Sequence, residues 1–162
     1  MPELPDVELY LDALDRHVGG SELQAVRCRS PFLLRTVQPP LSEAHGRRVI
    51  GFRRIGKRIA IGLDGDLWLV LHLMIAGRLH WKDPEAKLVG KRDLAAFDFA
   101  DGSLVLTEAG SKKRASLHVV EGEAGLAALD PGGLEPLDMD LSAFREAVRR
   151  NNHTVKRALT DP

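Results

Sequence analysis

The first three residues of the chain, Met1, Pro2 and Glu3, combine groups that can do covalent chemistry. A methionine before a small residue such as proline is normally removed, which leaves Pro2 with a free secondary amine. An α-amino group titrates near pH ~8, so a useful fraction is neutral and nucleophilic at physiological pH. Attack of such an amine on a sugar C1′ gives an iminium ion, and Glu3 could move protons beside it. The simpler alternative is that Pro2 and Pro5 only stiffen the chain end.

Basic residues are gathered in three further places. One run between His45 and the start of the next apolar stretch has six cations and no acidic residue: Arg47, Arg48, Arg53, Arg54, Lys57 and Arg58. On a strand, alternate members share a face, so Arg53 with Lys57, or Arg54 with Arg58, could follow a phosphate backbone. The other clusters are Lys112, Lys113 and Arg114, in a glycine-containing loop, and Arg149, Arg150, Lys156 and Arg157. A solvated strand face is the commoner explanation of such a run, but segregated charge favours an anionic partner.

Other kinds of site have little support in the sequence. His72 and His80 bracket an apolar turn, and a histidine on an apolar strand is more often a core residue than a ligand. The six histidines show no metal-type spacing, and the single cysteine, Cys28, excludes an intramolecular disulfide and a multi-cysteine zinc site within the chain. Phosphate-loop and dinucleotide-binding fingerprints are missing from the sequence, because Gly51 and Gly56 do not open a helix. We therefore expect no cofactor in this chain.

The composition indicates an ordinary globular protein of 162 residues. Lys plus Arg and Asp plus Glu are both 23, and 44% of the residues are hydrophobic. This balance excludes a strongly basic coat protein and an acidic disordered tail. The apolar runs are too short to span a bilayer, and the N-terminus lacks the features of a signal peptide. We expect an intracellular protein, without a membrane partner, that acts as a monomer.

The elements that must position these residues are predicted to be mainly β. Residues 5–18 have the apolar spacing of an amphipathic helix, which Gly19 and Gly20 end. Short strands follow between residues 23 and 120, with hairpin turns at 64–66 and 100–102. Six to eight strands with tight turns predict a two-layer antiparallel β-sandwich with an N-terminal helix.

The pattern changes near residue 130, where Asp130, Pro131 and two glycines indicate a linker. A helix is predicted through Arg150, capped by Asp140 or Ser142, and a second from Asn152 or Thr154 to Leu159. We therefore expect a β-sandwich domain over 1–130 and the first helices of an incomplete helical domain over 131–162. Because the last helix has nothing to pack on, we expect the chain to be truncated.

Several motifs resemble, in the same order, those of the formamidopyrimidine-DNA glycosylase/endonuclease VIII family. The octapeptide Met-Pro-Glu-Leu-Pro-Asp-Val-Glu at 1–8 closely resembles the family's N-terminus and is its most specific match. Weaker matches are the lysine-containing strand at 56–58, the His-Leu-x-Met-x-Gly-x-Leu loop at 72–79, the Glu-Pro-Leu entry to the helical domain at 134–137, and the next helix around Val155 and Lys156.

The resemblance implies a bifunctional DNA glycosylase/AP lyase that flips a damaged base out of double-stranded DNA. Pro2 would form the Schiff base, Glu3 would act as acid and base, and Lys57 would bind phosphate and assist β-elimination. Arg92 falls where the family has a phosphate-binding histidine, and Lys156 would grip the backbone from the helical domain. Further expected DNA contacts are His72, Lys112 and Lys113, with Met74 or Ile75 filling the gap left by the extruded nucleotide.

The chain also departs from the family pattern. Asp6 replaces a glutamate, and colinear alignment puts Ile75, not Met74, in the place of the intercalating methionine. The family's phenylalanine-containing wedge loop is replaced by residues 108–115, which carry cations. The remaining helices and the family's zinc finger are expected only beyond residue 162, so we expect the fragment alone to be inactive. The alternative function is a non-catalytic DNA-binding or damage-sensing module of the same fold.

Overall fold

The computed structural model describes residues 2–132, 135, 139–150 and 152–159. The chain divides into two compact units after Leu129. The first unit begins with helix α1 (Leu4–Val18), which buries Val7, Leu14 and Val18. Glu3 is the N-cap residue, and its backbone N–H donates to Oδ2 of Asp6 at 2.8 Å. The predicted helix over 5–18 is confirmed.

Nine strands follow in the described part of the first unit, and they form two antiparallel sheets. The strands are β1 (Glu22–Leu23), β2 (Ala25–Cys28), β3 (Arg47–Ile55), β4 (Arg58–Leu63), β5 (Leu67–His72), β6 (Gly77–Lys82), β7 (Asp93–Phe99), β8 (Gly102–Glu108) and β9 (Ser116–Glu121). One sheet has the order β1-β3-β4-β5-β9 and the other β2-β7-β8-β6. The predicted two-layer sandwich is confirmed.

The core lies between the two sheets and under α1. Alternate residues of the central strands β4 and β5 project into it, and Ile59, Leu69 and Leu71 are fully buried there. Burial of each such side chain contributes roughly 1.5–3 kcal/mol to the stability of the first unit. The predicted strand over 67–73, buried on both faces, is confirmed as β5.

The outer face of the five-stranded sheet is covered by helix α2 (Gly122–Ala127), which the sequence did not predict. Leu126 packs there against Ala60, Trp68 and Val70. The segment is short and contains two glycines, so its propensity for helix is weak and packing must stabilise it. A Cβ on Gly125 would lie 2.9 Å from Cβ of Val120, which explains a glycine at this close approach.

The predicted basic face between residues 53 and 58 is wrong, because the chain turns there. Gly56 has a φ of +56°, which glycine adopts readily, and it ends β3 at Ile55 before β4 starts at Arg58. Lys57 therefore lies in the turn instead of on a strand face with Arg53. The hairpin turns predicted at 64–66 and 100–102 are present.

In the second unit the structure describes helix α3 (Leu141–Arg149) and helix α4 (Val155–Ala158). Of the alternative caps, Asp140 accepts from the backbone N–H of Ala143 at 2.7 Å, and Thr154 accepts from that of Arg157 at 3.4 Å. Most of the predicted motif at 134–137 lies outside the described residues. Across the described ranges, helices long and apolar enough to cross a membrane are absent.

Candidate active site and nucleic-acid interface

The strand registers bring most of the predicted site residues to one end of the sandwich. Arg58 pairs with both Ile55 and His72, and His72 pairs with Ser116. The turn between β3 and β4, the end of β5 and the start of β9 therefore lie side by side. In the other sheet Gly77 pairs with Glu108, so the β5–β6 turn and the β8–β9 loop reach the same end.

The N-terminus joins this end through Glu3 and Lys57. The carboxylate of Glu3 lies 2.5 Å from Nζ of Lys57, and both side chains are about half exposed. A second ion pair, Glu8 to Arg54 at 2.5 Å, ties the N-terminal part of α1 to β3. Pro2, directly before Glu3, is buried. Two predicted catalytic residues, far apart in sequence, are thus in contact beside the predicted nucleophile.

The β5–β6 turn presents Ile75 to solvent. Ile75 is 55% exposed, whereas Met74 is half-buried and has a φ of +54°, an uncommon conformation for a side chain of its size. The turn is closed by the backbone N–H of Gly77, which donates to the carbonyl of Leu73 at 2.9 Å. Of the two predicted wedge residues, Ile75 has the more accessible apolar side chain.

The β8–β9 loop is organised by Glu108, whose carboxylate is buried. It accepts three bonds from the backbone N–H groups of Arg114 and Ala115, at 2.9–3.2 Å. The amine of Lys113 donates to the carbonyl of Glu108, and Lys112 is exposed. The N–H of Glu108 donates to the carbonyl of Arg92 at 2.9 Å, so this one residue positions two predicted DNA-binding segments.

Sequence reasoning assigned no role to Glu108. The only available signal was a carboxylate at the end of an apolar strand, directly before a loop with three successive cations. A buried carboxylate that accepts several backbone N–H bonds fixes a loop firmly, because each donor would otherwise be left unsatisfied.

Two histidines lie on the outer face of the five-stranded sheet near this end. Burial lowers the pKa of His72, and the charges of Arg58, Lys57 and His118 lower it further. Burial likewise lowers the pKa of His118, as do the charges of Arg58 and Arg35, while the carbonyl of Val70 acts in the opposite direction. Both rings are therefore held toward the neutral form at pH 7.

Most cations of the predicted phosphate row are paired with carboxylates. Arg53 lies 2.5 Å from Glu123 and stacks over Trp68, with its guanidinium 4.8 Å from the ring centroid. Arg47 lies 3.9 Å from Glu43. The run is consequently a set of local ion pairs and not a free row of charge.

Lys156 lies in α4 of the second unit, on an exposed position. Arg92 is exposed directly before β7.

Within the described residues, groups of three or more metal-ligating side chains are absent.

Comparison with known proteins assigns the chain to a family. The family described as "Formamidopyrimidine-DNA glycosylase N-terminal domain" matches residues 1–113, and the chain belongs to this family. A formamidopyrimidine-DNA glycosylase of Heliobacterium modesticaldum is 32% identical over 99% of this chain and 61% of its own length. That of Pelobacter propionicus is 39% identical over 65% of this chain and 39% of its own length.

The fold has a counterpart among solved structures. A Lactococcus lactis FPG mutant in complex with a Fapy-dG containing DNA superposes with a TM-score of 0.87 and 25% identity. The match covers 99% of this chain and 60% of that one. The chain thus spans about three fifths of the length of the Heliobacterium and Lactococcus proteins and less of the Pelobacter one.

Proposed function

We propose that this chain is the N-terminal part of a base-excision-repair DNA glycosylase/AP lyase that acts on oxidised bases in double-stranded DNA. The observation that carries the proposal is the contact between Glu3 and Lys57, 2.5 Å apart, beside buried Pro2. The family membership supports the same class of activity. The protein would act inside the cell, at the nucleoid, as a monomer and without a cofactor bound to this chain.

In the proposed reaction the Pro2 nitrogen uses its lone pair to attack C1′ of the damaged nucleotide. The bond from C1′ to the base breaks, its electron pair leaves with the base, and the base takes up a proton. The sugar ring opens to an iminium ion, in which Glu3 moves protons. Loss of a C2′ proton then expels the 3′ phosphate (β-elimination), and a second elimination expels the 5′ phosphate. Water hydrolyses the remaining imine and releases the free amine.

The cations at this end of the sandwich would hold the DNA backbone. Lys57 would exchange Glu3 for a phosphate beside the lesion, with His72, Arg92, Lys112 and Lys113 as further contacts. Ile75, at the exposed tip of its turn, would fill the space of the extruded nucleotide. Lys156 would add a contact from the second unit.

Borohydride trapping on an abasic-site duplex tests the proposal. The Met1-processed, full-length protein should give a covalent adduct, and Pro2→Gly should weaken it. Pro5→Ala is a matched control, because Pro5 lies in the first turn of α1 and carries no predicted chemistry. Failure of the wild-type protein to form any adduct would contradict the proposal.

A second function, DNA binding or damage sensing without turnover, is favoured by the β8–β9 loop. That loop presents the cations Lys112 and Arg114, which suit backbone binding more than base-specific chemistry. Tight binding of an abasic-site duplex without any trapped adduct would favour this second function.

A further inference from the structure

The outer face of the five-stranded sheet carries a basic cluster that extends beyond Lys57 and His72, the two residues that the proposed function places on a phosphate. Arg58 on β4 lies directly opposite His72 on β5. His118 on β9 pairs with Val70, two residues before His72 on the same face. Facing side chains at such positions are about 5–8 Å apart. Arg58, His72 and His118 thus form one patch, the outer-face cluster.

A neighbouring segment adds a second arginine to this patch. The backbone of residues 33–36 runs beside β9: the N–H of Leu117 donates to the carbonyl of Leu33, and that of Arg35 donates to the carbonyl of Leu117. This holds the exposed Arg35 beside His118. Lys57, in the adjacent turn, completes the set of charges around the two rings.

Among the residues that the structure describes, Lys57 is paired with the carboxylate of Glu3, whereas Arg58 and Arg35 contact no carboxylate. Every charged group that perturbs His72 or His118 is a cation. One guanidinium nitrogen of Arg58 donates to the carbonyl of Leu129 at 2.7 Å, while its Nε is buried without a hydrogen-bond partner. Nδ1 of His118 is also buried and makes no hydrogen bond of normal geometry. These two nitrogens are enclosed by protein, so an anion would meet the more accessible parts of the cluster. Converging basic groups disfavour one another's charged forms, and a bound anion would remove that cost.

We propose that Arg58, His118 and Arg35 form an additional phosphate subsite, which holds a DNA backbone phosphate next to the one taken by Lys57 and His72. This inference rests on the proposed function, since it assumes that DNA lies across this end of the sandwich. A bound phosphate attracts the basic side chains that otherwise repel one another. Its negative charge favours the protonated forms of the two histidine rings, so binding is coupled to proton uptake. Affinity for DNA therefore rises as the pH falls through the range in which His72 and His118 titrate.

Imidazole NMR of the complete protein tests the subsite directly, first with inorganic phosphate and then with an abasic-site duplex. Both ligands should raise the pKa of His118 by about one unit, the size of shift that an opposite charge within a few ångströms produces. His80, which lies on the other sheet against Thr107, is the internal control. A response to inorganic phosphate alone would overturn the assignment to the DNA backbone, and no response to either would overturn the subsite.

Salt-dependent binding gives a second readout. His118→Gln combined with Arg58→Gln should reduce the slope of log K against log salt by about 0.9, the value for one phosphate contact. The control is His80→Gln with Arg78→Gln, because both are exposed on β6. An unchanged slope in a folded double variant would contradict the subsite. The proposed function has its own test: it would be contradicted if the wild-type protein formed no adduct in borohydride trapping, whatever the salt slope.

Discussion

Two cationic regions of the same sheet have opposite surroundings. In the β3 region, Arg47, Arg53 and Arg54 each face a carboxylate, two of which are supplied by the helices α1 and α2. In the outer-face cluster, Arg58 and two histidines face one another. The difference shows that a basic run in a sequence does not by itself define a phosphate-binding surface. The neighbouring elements decide which cations keep charge available for an anion.

Both regions lie on a sheet that packs on the hydrophobic core. A substitution in that core should give the largest effect on stability. Leu71 is fully buried on the inner face of β5. Leu71→Ala should lower the free energy of unfolding by about 2–5 kcal/mol, since it leaves a cavity in the core. Chemical denaturation measures this loss. Leu9→Ala is the control, because Leu9 is 66% exposed on α1, and equal losses for the two variants would contradict the assigned core.

The β8–β9 loop extends the comparison, because there a buried carboxylate organises cations without neutralising their side chains directly. Both carboxylate oxygens of Glu108 accept backbone N–H bonds, three in all. In Glu108→Gln one of these oxygens becomes an NH2 group, which donates and cannot accept. We expect it to lower the free energy of unfolding by about 2 kcal/mol. It should also weaken DNA binding, because the loop with Lys112 loses its conformation. Glu85→Gln is a suitable exposed control, and a Glu108→Gln protein with wild-type stability would contradict this role.

A pair of single substitutions compares Lys57, which the proposed function transfers from Glu3 to a phosphate, with Arg53, which stays in its ion pair. Lys57→Ala should weaken DNA binding across sequences and reduce its salt slope by about 0.9. Arg53→Ala should leave the slope unchanged, because Arg53 is held by Glu123 and Trp68. Fluorescence anisotropy at several salt concentrations measures both. Equal slopes for the two variants would remove the distinction between these two cations.

The smallest expected effect is on the pH dependence of stability. The pKa values of His72 and His118 are lowered in the folded chain, so the unfolded chain binds protons first as the pH falls. The free energy of unfolding should therefore fall as the pH drops below about 6.5, the ordinary pKa of histidine. His118→Gln should flatten this decline in denaturation measured between about pH 7.5 and 5. A steeper decline in the variant would contradict the assigned cause.

Much of the fold could be predicted from local patterns. The spacing of Val7, Leu14 and Val18 defined α1, and Asp64-Gly65-Asp66 marked a hairpin turn. Such signals are local because periodicity and turn chemistry act over a few residues. Helix α2 escaped prediction because tertiary packing of Leu126, and not local propensity, stabilises it.

The candidate site was predicted less completely. Pro2 and Glu3 were singled out by their own chemistry, whereas the role of Lys57 came from a resemblance; all these roles remain predictions. Their contacts could not come from the sequence, because Glu3 and Lys57 meet only through strand pairing and helix docking. The expected shared face of Arg53 and Lys57 failed at one residue, Gly56, whose positive φ starts a turn. The role of Glu108 depends on a loop conformation that no local pattern encodes.

The central claim is that the Pro2 nitrogen is the group that attacks the sugar. Peptide mapping by mass spectrometry of the borohydride-trapped complex tests it most directly, since it locates the modified atom. We expect the added sugar mass on the peptide that begins with Pro2, and Lys57 without modification. An adduct on Lys57, or an N-terminal peptide that retains Met1 and carries no sugar, would contradict it.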